Sequence, residues 1–316
     1  MLLAAVLIAG CSPHKGGNAG DTVASAGRPF PQVSVPSLYS DAGERVQYIV
    51  SHYWDAFLNP AEEHVTDSLG INGVAMADME LAVSSFIMLL DNVDLPAACK
   101  AVDRMAQKMD AWQDAHPESG LHKALADMVS RYMYDPNSPV RNEDYYTPFA
   151  IAMAASQHVP QGLKASYTHD AQMSSLNRVG TRAADIRFRD IRGRDHHLYE
   201  VKAPVTLLFF SNPGCEACKE IIDALMLRTY IIDAIHDGRL AVVNVYIDEE
   251  VDRWRGYQKA YPLEWLNGYD PTFTIRTDLT YSIRAIPSLY LLDADKKVLM
   301  KDAPQQKVLE WLDNNI

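Results

Sequence analysis

Two periodicities divide this chain. From about Ser37 to His158 the apolar residues recur at helical spacing, in three stripes: Met79, Val83, Phe86, Ile87 and Leu90; Val102, Met105, Met109 and Trp112; Leu121, Leu125, Met128, Val129 and Tyr132. Stripes of this kind bury against one another, so the segment predicts a helical bundle, and its Met and aromatic content reads as core rather than as a ligand groove. Asp41 with Glu44 three positions on forms a capping pair, and Pro60, Pro96, Pro117 and Pro136 punctuate the helices.

Near Pro160 the period changes. Val159 to Ser175 is polar and reads as a loop. Ala184 to Tyr199 then predicts a hairpin turning near Gly193, with Ile186 and Phe188 facing inward. Buried-type strands follow at Val205–Phe210, Leu240–Ile247 and Ser288–Leu292, with a helix at Lys219–Leu227 between the first two. Val298–Met300 returns beside the last of these strands, and Gln306–Asn315 closes the chain as a helix. The expected fold is α/β, a mixed central sheet with helices on both faces, preceded by an all-α bundle. In residues, the bundle is 37–160, a linker 161–176, and the α/β domain 177–316.

The length of 316 residues suits two such domains, and 48% hydrophobic content is ordinary for globular protein. A formal charge of −12, with no basic face visible in the sequence, argues against nucleic acid as a partner. Residues 1–10 are nearly all apolar and uncharged, too short to span a bilayer, and read as a signal-peptide core. Leu7-Ile8-Ala9-Gly10-Cys11 resembles a bacterial lipobox, which implies that Cys11 carries a lipid anchor in the membrane; Ser12 after it fits outer-membrane sorting, on the periplasmic side of the cell envelope. No Lys or Arg precedes the apolar core, so a start further upstream is expected. Residues 12–36, rich in Gly, Ser and Pro, read as a tether reaching about 25 to 30 Å.

The chemistry concentrates at Cys215-Glu216-Ala217-Cys218, between the end of a strand and the start of a helix. There the unpaired N–H groups and the helix dipole favour a thiolate at Cys215, the nucleophile, while Cys218 lies one turn on and can resolve a mixed disulfide. Glu216 sets a negative charge between the thiols, which favours the oxidised pair and predicts a relatively reducing couple. Cys99, near the start of an amphipathic helix, reads as a small buried hydrophobe.

Together, Val205–Phe210, the CxxC, Val245-Tyr246-Ile247-Asp248 and Tyr281–Ser288 resemble a thioredoxin-like domain. Val179-Gly180, Ala184–Phe188 and the long insertion Glu249–Thr280 are similar to its extracytoplasmic TlpA/ResA-like branch. The resemblance covers Asn177 to Ile316. It implies thiol–disulfide exchange with protein or peptide partners, an upstream membrane or periplasmic electron donor, and no cofactor or metal. It also implies that Ile286-Pro287 is a cis peptide facing the dithiol, with the Ile286 backbone free to pair with an extended substrate and Glu216 beside it in the substrate-binding surface.

Three positions depart from the thioredoxin pattern. Phe209 stands where a buried acid is expected, Asn212-Pro213-Gly214 replaces the Trp-containing lead-in, and Glu216 charges the motif. The segment Tyr132–Glu143 resembles a helical domain of unknown function that precedes thioredoxin-like domains in bacterial lipoproteins, and it brings no activity with it. That domain either positions a partner near the dithiol or serves as a spacer.

Two rival classes remain. One is a metal-handling module using Cys215, Cys218 and His196-His197, although neighbouring residues of a strand point to opposite faces. The other is a partner-binding lipoprotein whose disulfide is only a staple, for which so small a ring is a weak reason. A peroxidase needs a Thr beside a lone attacking Cys, which Ser211–Gly214 does not supply, and Glu62-Glu63 and Glu249-Glu250 read as solvated charge.

Overall fold

The computed structural model describes residues 27–316. The expected signal segment at residues 1–10, Cys11, and residues 12–26 of the expected tether lie outside the described residues.

The N-terminal domain consists of α1 (Ala42–His52), a two-stranded hairpin of β1 (Gly70–Ile71) and β2 (Val74–Ala75), α2 (Met76–Leu90), α3 (Leu95–Ala115), α4 (Leu121–Met133), α5 (Glu143–Ala155) and α6 (Gln161–Ser174). The three stripes form one core on α2, α3 and α4, with Tyr132 packed half-buried against it. Polar caps start the helices: Asp41 Oδ1 accepts from Glu44 N at 3.0 Å, Asp94 Oδ1 from Ala97 N at 2.7 Å, and Asn142 Oδ1 from Asp144 N at 3.0 Å.

Two expectations change here. The stretch 161–176, expected as a linker, is mostly helix α6, which packs on α5 through Tyr167 and Ala171. Its apolar residues are too sparse to mark a face by themselves, and α5 supplies the stabilising surface. Arg28 and Phe30, expected in the tether, are also bound to the helical domain. Arg28 N donates to Gly73 O at 2.9 Å, and the Phe30 ring lies within 5.2 to 5.4 Å of Phe57, Tyr53 and Trp54. Composition alone hid one aromatic anchor in a Pro-rich segment.

Cys99 has a specific structural place. Pro148 lies inside α5 and offers no N–H to the carbonyl of Asp144, four residues back. The Cys99 thiol donates to that carbonyl at 3.6 Å, and burial raises its pKa, which makes it a poor nucleophile.

The C-terminal domain carries a seven-stranded sheet: β3 (Arg187–Asp190), β4 (Asp195–His197), β5 (Val205–Phe210), β6 (Leu240–Tyr246), β7 (Leu266–Tyr269), β8 (Ser288–Leu292) and β9 (Val298–Met300), in the spatial order β4-β3-β7-β6-β5-β8-β9. The β5, β6 and β7 strands are parallel to one another, and the remaining pairs are antiparallel. The sheet is mixed, with helices on both faces, as expected. Every residue of β5 is buried. Its alternate side chains enter two cores: Val205, Leu207 and Phe209 meet α7 (Glu216–Met226), α8 (Thr229–His236), α9 (Val251–Gly256) and α11 (Gln305–Asn315). Leu208 and Phe210 meet Ile275 of α10 (Thr274–Thr277) with Phe188, Leu198 and Tyr281. The insertion 249–280 supplies β7, which inserts between β3 and β6. Its Gly268 is required by close approach, since a Cβ there would lie 2.6 Å from Phe188 Cδ2.

Candidate functional site: the dithiol turn and the loop facing it

Strand β5 delivers the chain to a turn, Ser211 to Gly214, at its C-terminal end. Gly214 has φ of 74°, a conformation that favours glycine, and this lets the chain reverse into α7. Side-chain amides hold the turn. Ser211 Oγ donates to Asn244 Oδ1 at 2.5 Å, Asn244 Nδ2 to Asn267 Oδ1 at 3.0 Å, and Asn212 Nδ2 to Asp248 Oδ2 at 2.7 Å. Asp248 also pairs with Arg276, and a cleft of about 560 Å³ opens beside it, lined by Glu249, Glu250, Phe273 and Thr277. Phe209 stays apolar, its ring edge-on to Trp265 at 6.3 Å, so no carboxylate stands at that position of the strand.

Cys215 is the N-cap of α7, and its sulfur accepts the Cys218 N–H at 3.1 Å. The first-turn N–H that orients on this atom is the donor that would stabilise charge on it. The two cysteines are joined as a disulfide with Cα atoms 5.2 Å apart. They are unequal: Cys215 is half-buried, whereas Cys218 is 2% exposed within the α7 core. Glu216 projects into solvent from the first position of the helix.

The second part of the site comes from the other neighbour of β5. Ser288, the first residue of β8, pairs with Phe210, the last residue of β5, so the loop Tyr281–Pro287 reaches the same end of the sheet as the dithiol turn. Ile286-Pro287 is cis, as the resemblance implies. Ile286 and Cys215 both pack, half-buried, against the cluster that contains Cys218.

His196 and His197 are elsewhere. Their strand, β4, is the far edge of the sheet, with β3, β7 and β6 between it and β5. His196 stacks on Phe188 and meets Asp190, and His197 meets Asp185. Among the described residues no group of three or more His, Cys, Asp or Glu is placed to hold a metal ion, and no helix is long and apolar enough to cross a membrane.

Residues 11–177 match the family model of a domain of unknown function, DUF5106. The crystal structure of a thioredoxin-like protein from Bacteroides caccae, 33% identical, matches with a TM-score of 0.78 over 92% of this chain and 99% of its own. The chain belongs to the DUF5106 family and is thioredoxin-like. Shorter matches include the C-terminal domain of an uncharacterized protein from Bacteroides fragilis, 42% identical over 43% of this chain and 98% of that one, with a TM-score of 0.42. Another is the thioredoxin domain of a thiol-disulfide oxidoreductase from Bacteroides vulgatus, 22% identical over 43% and 96%, with a TM-score of 0.38. No curated protein matches the sequence.

In this DUF5106 protein, residues to which the sequence assigned no role also reach the site. Arg284, two positions before Ile286, binds Glu143 of the helical domain, 141 residues away in sequence. Only an Arg inside an otherwise apolar loop hinted at a buried partner, and nothing in the sequence named which acid it was.

Proposed function

We propose that this protein is a thiol–disulfide oxidoreductase that reduces protein or peptide disulfides through Cys215 and Cys218. The observation that carries the reading is the inequality of the two sulfurs: the accessible one caps a helix, and the buried one sits a turn behind it. In the reduced protein the Cys215 thiolate attacks a substrate disulfide, forming a mixed disulfide and releasing one substrate sulfur, which takes up a proton. The Cys218 thiolate then attacks Cys215 Sγ, the second substrate sulfur leaves and is protonated, and the protein is left with the Cys215–Cys218 disulfide. Two electrons have passed to the substrate, and a membrane or periplasmic dithiol donor must return them.

Ile286 and Pro287 border the place where the substrate strand would lie, and Glu216 faces it from the helix. A Pro there offers no N–H and leaves the preceding backbone free for an extended chain. The sequence at Leu7–Cys11 supports placing the protein on the periplasmic side as a lipoprotein, with Ser12 favouring the outer membrane.

The test is trapping with Cys218→Ala in the producing cell. The variant should accumulate mixed disulfides on Cys215 that mass spectrometry can name, and Cys215→Ala should accumulate none. Equal yields from both variants, or no adduct from either, would count against exchange and for a partner-binding role.

A further inference from the structure

We propose that the helical domain holds the loop facing the dithiol in its working shape, with Glu143 as a positioning residue acting through Arg284. This deepens the disulfide-exchange reading and rests on it. The Arg284 guanidinium is gripped from three sides. Its Nε donates to Glu143 Oε1 at 2.7 Å, its Nη2 to Asp302 Oδ2 at 3.0 Å, and its plane lies 4.1 Å over the ring of Tyr134.

Glu143 opens α5, and its second oxygen takes the Lys301 ammonium at 2.7 Å; both side chains are 1% exposed. Lys301 also donates to the Ser174 carbonyl at the end of α6, at 2.6 Å. Asp302 continues the chain of contacts to the far side of the loop, since its Oδ1 accepts from Ser288 Oγ at 2.7 Å and its carbonyl accepts from Arg141 Nε at 3.0 Å. Arg284 and Ser288 therefore bracket Ile286-Pro287, and groups from the ends of α4, α5 and α6 anchor the bracket.

A buried cluster of three cations and two acids is a poor source of stability compared with an apolar core, because each charge gives up its hydration. It does demand one geometry, since Arg284 Nε and Nη2 and Lys301 Nζ must each meet an acid at close range, while Arg284 Nη1 is buried without a hydrogen-bond partner among the described residues. The loop it constrains is the one whose backbone would receive a substrate strand. A loop ordered in advance spares that cost on binding, which appears in KM rather than in the chemical step.

Two variants, Glu143→Gln and Arg284→Lys, separate the roles, the second serving if the first does not fold. Hydrogen exchange should show protection at residues 281–286 and 288 falling by about tenfold, with β5 and β6 unchanged. With a peptide disulfide, KM should rise by about tenfold while kcat changes less than twofold, and iodoacetamide should modify Cys215 of the reduced protein at the wild-type rate. A uniform loss of protection across the sheet, no loss in the loop, or loosening of the loop with KM unchanged would each overturn the proposal. If the wild-type protein reduces no peptide disulfide, the exchange reading fails, and the exchange pattern of the loop still decides whether Glu143 positions it.

Discussion

Reducing the Cys215–Cys218 disulfide should weaken the C-terminal domain only slightly and leave it folded. The bridge joins residues three apart, so the four-residue loop it closes removes about 6 cal/mol/K of chain entropy, or about 2 kcal/mol at 25 °C, against about 4.7 kcal/mol for a hundred-residue loop. One contribution opposes it. The Cys215 sulfur already accepts the Cys218 N–H, and as a thiolate it would gain about 0.3 to 1 kcal/mol from the helix terminus. Loop entropy wins, by about 1 to 2 kcal/mol. The same energy, read through linkage, places the couple about 20 to 40 mV below that of the dithiol in the unfolded chain. This agrees with the reducing character expected from the charge of Glu216 in the motif.

The measurement is hydrogen exchange at the slowest amides of β5 and β6, which report opening of this domain alone, with and without dithiothreitol. Exchange in the reduced protein should be roughly 5- to 30-fold faster. Loss of the fold on reduction, or a cost above about 4 kcal/mol, would mark the bridge as a staple and refute the exchange reading. Slower exchange in the reduced protein would mean that the thiolate outweighs the ring and that the couple is oxidising.

Two further outcomes follow from the helical half and from the boundary between the domains. Phe30→Ala should cost the helical domain about 2 kcal/mol, since a half-buried ring leaves the Tyr53–Trp54–Phe57 cluster, and tryptophan fluorescence during urea unfolding, to which Trp54 and Trp112 of this domain contribute, reads it; a change below about 0.3 kcal/mol would return residues 28–33 to the expected tether. Burial raises the Asp302 carboxyl above its ordinary range, outweighing Arg141 and Arg284. Its contribution to stability is therefore fully present below the unfolded pKa and is lost as pH rises through the folded one. The urea midpoint of Asp302→Asn should accordingly gain on that of the wild type as pH rises above the ordinary carboxylate range, and a variant that instead falls further behind would show that pairing with the arginines dominates.

What could be read along the chain was local. The stripes at Met79–Leu90, Val102–Trp112 and Leu121–Tyr132 form the helical core, and Val205–Phe210, Ser288–Leu292 and Val298–Met300 are strands at those boundaries. Each signal is a periodicity within one element, set by which side chains must leave water. The CxxC was legible for a similar reason, because its chemistry depends on spacing within a few residues, whereas the role of Ile286-Pro287 was read through the family resemblance.

The sequence by itself thus determined the helical core stripes, the central strands, the dithiol and its position at a helix N-terminus. Tertiary structure alone decided that α6 is a helix, that Leu266–Tyr269 fills a gap in the sheet, that Phe30 belongs to a core, and that Glu143 grips Arg284. In each of these the stabilising partner is distant along the chain: α5 for α6, Phe188 for Gly268, the Tyr53–Trp54–Phe57 rings for Phe30. A buried charge is neutralised by whatever the fold brings within hydrogen-bond reach, and that proximity is a property of packing that no local pattern encodes.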